Sequence, residues 1–174
     1  MKAILRSGFL ALAIMALAVS ADAGPFEEGL AAYKQGDYPT ALQFWRPLAE
    51  QGNPAAQFNL GFMYGNGRGE AEDDAEAVKW YSKAAEQGVV GAMFLIGSTY
   101  ASGGRGVPPN LVPANMWFNI AAAYGDENGR KQRDFWARFL TPDQLADAER
   151  MTREWLEKHQ QPSNSFSKIP RPRP

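Results

Sequence analysis

Residues 73–88, DDAEAVKWYSKAAEQG, hold the pattern on which the fold turns. An opening alanine, two adjacent aromatic rings and a closing glycine stand in the same order at 41–52 (ALQFWRPLAEQG) and at 114–125 (ANMWFNIAAAYG). The alanines Ala41, Ala77 and Ala114 are 36 and 37 residues apart, and the glycines Gly52, Gly88 and Gly125 keep the same steps. A second glycine set, Gly29, Gly61 and Gly97, precedes them. A period in the mid-thirties is the length of one helix–turn–helix unit, which cannot bury its apolar face alone and stacks on its neighbours.

Local chemistry gives two helices per period. Asn53-Pro54 and Thr141-Pro142 place a capping residue before a proline at the first helical position. Asp37, Asp73 and Asn110 each lie four residues before a repeat alanine and read as caps of the second helices. Asp73 with Glu76, and Thr141 with Gln144, have capping-box spacing. Gly52, Gly88 and Gly125 read as left-handed helix stops. Close helix approach needs small residues, so Gly61 and Gly97 are expected opposite Ala77 and Ala114. The pairs Phe44/Trp45, Trp80/Tyr81 and Trp117/Phe118 are expected to fill the wedges between units.

Composition closes several classes of function. The 174 residues carry 18 Lys+Arg, 19 Asp+Glu, one histidine and no cysteine. A net charge of -1 gives no overall attraction to nucleic acid. Without cysteine there is no disulfide, thiolate zinc site or cysteine nucleophile, and no thiol for a lipid anchor. The lone His159 leaves little room for a histidine metal cluster or a triad. No metal, cofactor or catalytic residue is expected. GNGRG (65–69) and GGRG (103–106) lack the preceding strand and the Lys-Ser/Thr of a phosphate loop. The acidic run from Glu70 to Glu76 lacks the spacing and internal glycine of a calcium loop, and reads as a solvated helix start. Paired-carboxylate hydrolysis is open on composition, but nothing places two carboxylates across a cleft.

The two ends read differently. Lys2 and Arg6 precede an apolar run, Phe9 to Val19, shorter than the roughly 20 residues of a spanning helix. Ala21-Asp22-Ala23 fits a signal-peptidase site. Residues 1–23 are therefore expected to be a cleaved export leader, with cleavage after Ala21 as the second choice. The expected mature chain would be periplasmic, with no membrane span and no lipid anchor. Residues 160–174 (QQPSNSFSKIPRPRP) are expected to be a disordered or polyproline tail.

AQFNLGFMYGNGRG (56–69) followed by DDAEAVKWYSKAAEQG (73–88) resembles one unit of the Sel-one-like repeat family, relatives of the tetratricopeptide repeats. Residues 91–125 resemble a second unit, with GRGVPPN (104–110) as its loop. Residues 26–52 have a shorter turn and look more like a tetratricopeptide unit, and 130–155 resemble the closing helices. The resemblance implies an all-α, right-handed α-solenoid of antiparallel helix pairs over 24–159. Its units would be about 26–52, 53–88 and 89–125, with closing helices over 126–159.

The resemblance also implies a concave surface that binds a protein or peptide. Carried over position by position, that surface holds Phe26, Leu30, Phe58, Phe62, Phe94 and Ser98, with Tyr33 one turn beyond Leu30. An apolar stripe of this kind could seat a helix or an extended peptide. The same rings also read as packing against neighbouring helices. Arg68 and Arg105 recur in the glycine-rich loops and are expected to be exposed, as secondary contacts for an acidic partner. The functional expectation is an exported, non-enzymatic adaptor, scaffold or regulator of the cell envelope. Two other readings stand beside it: an envelope enzyme or accessory acting on cell-wall or β-lactam substrates, and a structural subunit of a secretion or polysaccharide complex.

Overall fold

A computed structural model describes residues 24–159; the expected leader (1–23) and tail (160–174) lie outside the described residues. The described chain is a row of helices: α1 (Pro25–Lys34), α2 (Tyr38–Glu50), α3 (Pro54–Gly65), α4 (Asp74–Glu86), α5 (Val90–Ser102), α6 (Leu111–Ala123), α7 (Glu127–Ala137) and α8 (Pro142–His159). The first six pair as α1/α2, α3/α4 and α5/α6, and each pair joins the next through α2/α3, α4/α5 and α6/α7. This is the α-solenoid that the period implies.

Side-chain caps set the helix starts. Carboxylate or amide oxygens of Asp37, Asn53, Asp73 and Asn110 accept backbone N–H bonds from Thr40 (3.2 Å), Ala56 (2.9 Å), Glu76 (2.9 Å) and Val112 (3.1 Å). Thr141 and Gln144 form both halves of a capping box, at 3.3 and 2.9 Å. The Asp73/Glu76 pair forms only one half, because the Asp73 N–H donates instead to the Tyr64 carbonyl at 3.0 Å, and the Glu76 carboxylate accepts from Lys79 Nζ at 2.7 Å. Helix ends repeat as faithfully. Gly52, Gly88 and Gly125 have φ of 95°, 87° and 91°, and the residue after each donates back to Leu48, Ala84 and Ala121. These are Schellman ends, which only a residue tolerant of positive φ closes without strain.

The packing departs from expectation at the first glycine set. The nearest neighbours of Gly29, Gly61 and Gly97 are rings, not the repeat alanines. A Cβ on them would stand 2.5 Å from the Trp45 ring, 2.6 Å from Tyr81 and 2.8 Å from Phe118. Each glycine is thus the floor on which the second ring of its own unit rests. A ring lying flat on the partner helix needs more room than an alanine methyl, and only hydrogen at Cα leaves it. Trp45 and Phe118 are each 1% exposed as a result. The second rings therefore close units from within. The first rings of the second and third units reach beyond their own units: Trp80 joins the core of the first two units, and the Trp117 ring meets Trp155 of α8 at 5.6 Å.

The fourth pair does not close. Asp134 stands 37 residues after Gly97, so α7 offers a carboxylate where the earlier helices offer a glycine floor. α7 still packs on α6: Gly129 lies against Ala121, and the Asn115 amide donates to the Arg133 carbonyl at 3.0 Å. α8, however, lies along α6 and barely touches α7. Thr152 and Trp155 fix it there. The Thr152 hydroxyl donates to Ala148 O at 2.7 Å beside the Met116 carbonyl, and Trp155 packs on Trp117. No helix among the described residues is long and apolar enough to cross a membrane.

Candidate protein-interaction surface

The residues expected on the concave side form a repeated row, and all seven are partly buried. Phe26, Phe58 and Phe94 hold one role three times. Their ring centroids lie 6.0, 5.7 and 5.6 Å from Trp45, Tyr81 and Phe118, so each covers the ring resting on its unit's glycine. Leu30 packs into the core of the first two units. Tyr33 meets Tyr38 and Trp45 at 5.5 and 5.6 Å. The Ser98 hydroxyl donates to its own helix at Phe94 O, 3.1 Å away. Each of these side chains has one side in the core and the other open. The inner sides pack as the packing reading has it; the open sides are the surface that the binding expectation concerns.

Between the second and third units the stripe opens into a cleft of about 250 Å³. Phe62, Tyr81 and Leu95 supply its apolar wall; Asn66, Asp74, Ser98, Thr99 and Ser102 supply polar groups. The three hydroxyls donate to carbonyls one turn back, at Phe94, Leu95 and Ser98, which leaves their oxygens as acceptors. Burial, with Asp74 nearby, pushes the Tyr81 phenol above its ordinary range and keeps it neutral. A cleft with aromatic walls and a few convergent acceptors suits a peptide side chain together with its backbone N–H groups. Residue spacing did not single out Asn66, Asp74, Thr99 or Ser102. Their meeting depends on how α3, α4 and α5 cross.

The two loop arginines part company. Arg68 is not the exposed loop contact expected of it. Its guanidinium lies 5.3 Å from the Tyr33 ring, 5.5 Å from Tyr38 and 5.3 Å from Phe62, and it donates to the Tyr33 hydroxyl. Three rings cage the cation and tie the second unit's loop to the first unit. Arg105 is exposed. Its backbone N–H donates to Asp74 at 2.8 Å, its carbonyl accepts from Ala75 N–H at 3.2 Å, and its side chain only approaches Glu72 at 3.9 Å. The backbone thus clamps this loop to the start of α4 and leaves the guanidinium in solvent. Nearby, Arg46 pairs with Glu70, and that hydrogen bond raises the arginine pKa further.

The largest exposed apolar side chains lie elsewhere. Phe135 is 46% and Phe139 60% exposed, and with Trp136 they form a three-ring cluster. The residue pattern contained a signal for Phe135: it stands 37 residues after Ser98, in the same register as Phe62 and Ser98.

Similar proteins agree with this architecture. A 68-residue stretch is 40% identical to exopolysaccharide production negative regulators of Rhizobium leguminosarum bv. viciae and Rhizobium meliloti. The stretch is 37% of this chain, and it spans only about a quarter of those relatives (26% and 25%). A protective antigen present in uropathogenic Escherichia coli strains, whose crystal structure displays an SLR fold, superposes with a TM-score of 0.71 at 28% identity, over 83% of this chain and 34% of its own. A Sel1 repeat protein from Oxalobacter formigenes superposes with a TM-score of 0.55 at 36% identity, over 64% of this chain and 86% of its own. Sel1 repeat proteins generally act as non-enzymatic interaction scaffolds. The Sel1 repeat model matches at 12–53, 54–89 and 90–126. The first match thus takes in the short-turned unit and reaches back into the segment read as a leader. With three repeats matched over most of its length, the chain belongs to the Sel1 repeat family.

Proposed function

We propose that this protein is an exported, non-enzymatic adaptor or regulator of the cell envelope that holds a protein or peptide partner on its concave stripe. The observation that carries the reading is the cleft between the second and third units. There the row of half-open rings meets free acceptor oxygens on a rigid scaffold. The names of the two Rhizobium relatives favour regulation among the scaffold roles, and the charged start, apolar run and Ala21-Asp22-Ala23 site of 1–23 favour export.

Two experiments test it. Phe58→Asp and Phe62→Asp remove the stripe, but Phe58 also covers Tyr81 and Phe62 also faces Arg68, so both changes weaken the fold. Ser98→Lys and Ser102→Lys fill the cleft and leave every ring in place. Wild-type protein is expected to retain a crosslinked envelope partner that the double lysine variant loses at unchanged thermal stability. Retention by that variant overturns the concave reading. N-terminal sequencing of protein from the envelope fraction is expected to begin at Gly24; an unprocessed chain in the cytoplasmic fraction overturns export.

A further inference from the structure

The outward face of α7 is the part of the molecule whose composition and packing disagree most. Gly129 and Trp136, seven residues apart, define the inward face: Gly129 lies on α6, and Trp136 packs into the core cluster of Ala101, Ala114 and Phe118. The opposite face carries Lys131 and Phe135, the cap Arg138 and then Phe139 follow in the turn just past the helix end, and all four are exposed. A soluble helix normally buries rings of this size. Here α8, the helix that would cover them, lies along α6.

Charge says what fits this face. Arg130 pairs with Glu127, and Arg133 with Asp134 at 2.7 Å. Lys131 and Arg138 have no hydrogen bond or ion pair among the described residues. The face therefore offers two rings flanked by two uncompensated cations. The chain's own residues 160–174 carry Lys168, Arg171 and Arg173 and no carboxylate. They share the sign of this face, as does the same face of a second copy. Neither is the complementary occupant.

Register ties the face to the stripe. Lys131 and Phe135 stand 37 residues after Phe94 and Ser98, so they form the fourth row of the sequence that runs through Phe58/Phe62 and Phe94/Ser98. Trp136 shares a cluster with Phe94 and continues the apolar surface from one row to the next.

We propose that the outward face of α7 and the turn that follows it dock an acidic amphipathic segment of the protein partner, with its apolar residues on Phe135 and Phe139 and its carboxylates on Lys131 and Arg138. This rests on the interaction reading above and gives the partner a chemistry. Apolar anchors carry the affinity; the cations set its sign preference and salt dependence.

The test uses the whole chain as its host processes it and a short fluorescent peptide with Leu and Glu at helical spacing. A second peptide has Lys in place of Glu. Anisotropy is expected to show salt-sensitive binding of the acidic peptide and at least about tenfold weaker binding of the basic one. Phe135→Ser with Phe139→Ser is expected to abolish binding. Lys131→Glu with Arg138→Glu is expected to reverse the preference. The changes are on the surface, so circular dichroism melts should match wild type. Equal binding of both peptides, or binding indifferent to these four residues, overturns the proposal. So does a dimer that the serine pair dissociates, or peptide binding that appears only when 160–174 are removed; these name a second copy or the tail as the occupant. If Ser98→Lys with Ser102→Lys loses the crosslinked partner while the acidic peptide fails, the concave reading survives and this inference falls. The converse pair of results leaves this inference standing without that reading.

Discussion

The second and fourth units begin from the same plan and end differently. In the second, Gly61 lets the Tyr81 ring lie on α3, Phe58 covers the ring, and α3 and α4 close on each other. In the fourth, Asp134 occupies the glycine's place, Lys131 stands where Phe58 would, and α8 goes to α6 instead. Two register positions, Asp134 in place of the glycine and Lys131 in place of the covering ring, separate the open pair from the closed one. The solenoid therefore ends by losing its locking residue, and α8 caps the row through Thr152 and Trp155. The open helix keeps its rings in solvent, and that exposure is what makes it a candidate surface.

The largest effect separates closing rings from open ones. Trp45→Ala removes a buried ring and its Nε1–H bond to Phe26 O (3.1 Å). It is expected to cost about 3–5 kcal/mol in urea unfolding. Phe135→Ala, at an exposed ring, is expected to change stability by less than about 0.5 kcal/mol. Comparable costs for the two would erase the distinction between units.

A smaller contrast lies in the loops. Arg68→Ala empties the cage of Tyr33, Tyr38 and Phe62 and is expected to lower stability by about 1–2 kcal/mol. Arg105→Ala leaves the backbone clamp intact and loses only a 3.9 Å exposed approach to Glu72, so a change under about 0.5 kcal/mol is expected. Thermal melts of the two variants side by side check this. Between these sits the cap of a closed unit. Asp73→Ala deletes the bond from Glu76 N–H and is expected to cost about 1 kcal/mol. Amide exchange should then rise first in the opening turn of α4.

Periodicity and caps made most of the fold legible in the sequence. Asp37, Asn53, Asp73 and Asn110 all cap where their spacing places them, and the three Schellman glycines stop their helices. What was not legible concerns contacts across the unit. A glycine in a helix says that something comes close, but not what. The close neighbour turned out to be the ring four residues past the repeat alanine. Arg68 misled for a related reason. Glycine-rich loops are usually solvated, and only the fold of the chain over α1 and α2 brings three rings around this one. The candidate stripe was partly readable. Its register follows from the repeat, but the polar half of the cleft comes from Asn66, Asp74, Thr99 and Ser102, which no spacing links.

The central claim is that glycine at this repeat position closes a unit by admitting a ring. Urea unfolding of Gly97→Ala beside Asp134→Ala tests it most directly. Alanine is a better helix former than glycine by about 1 kcal/mol, so propensity alone predicts stabilisation at Gly97. The account predicts the opposite sign. The new Cβ would meet the buried Phe118 ring at 2.8 Å, giving a net loss of about 1–2 kcal/mol. Asp134→Ala, with no ring above it, should be neutral or stabilising by up to about 0.5 kcal/mol. A Gly97→Ala protein more stable than wild type would contradict the account.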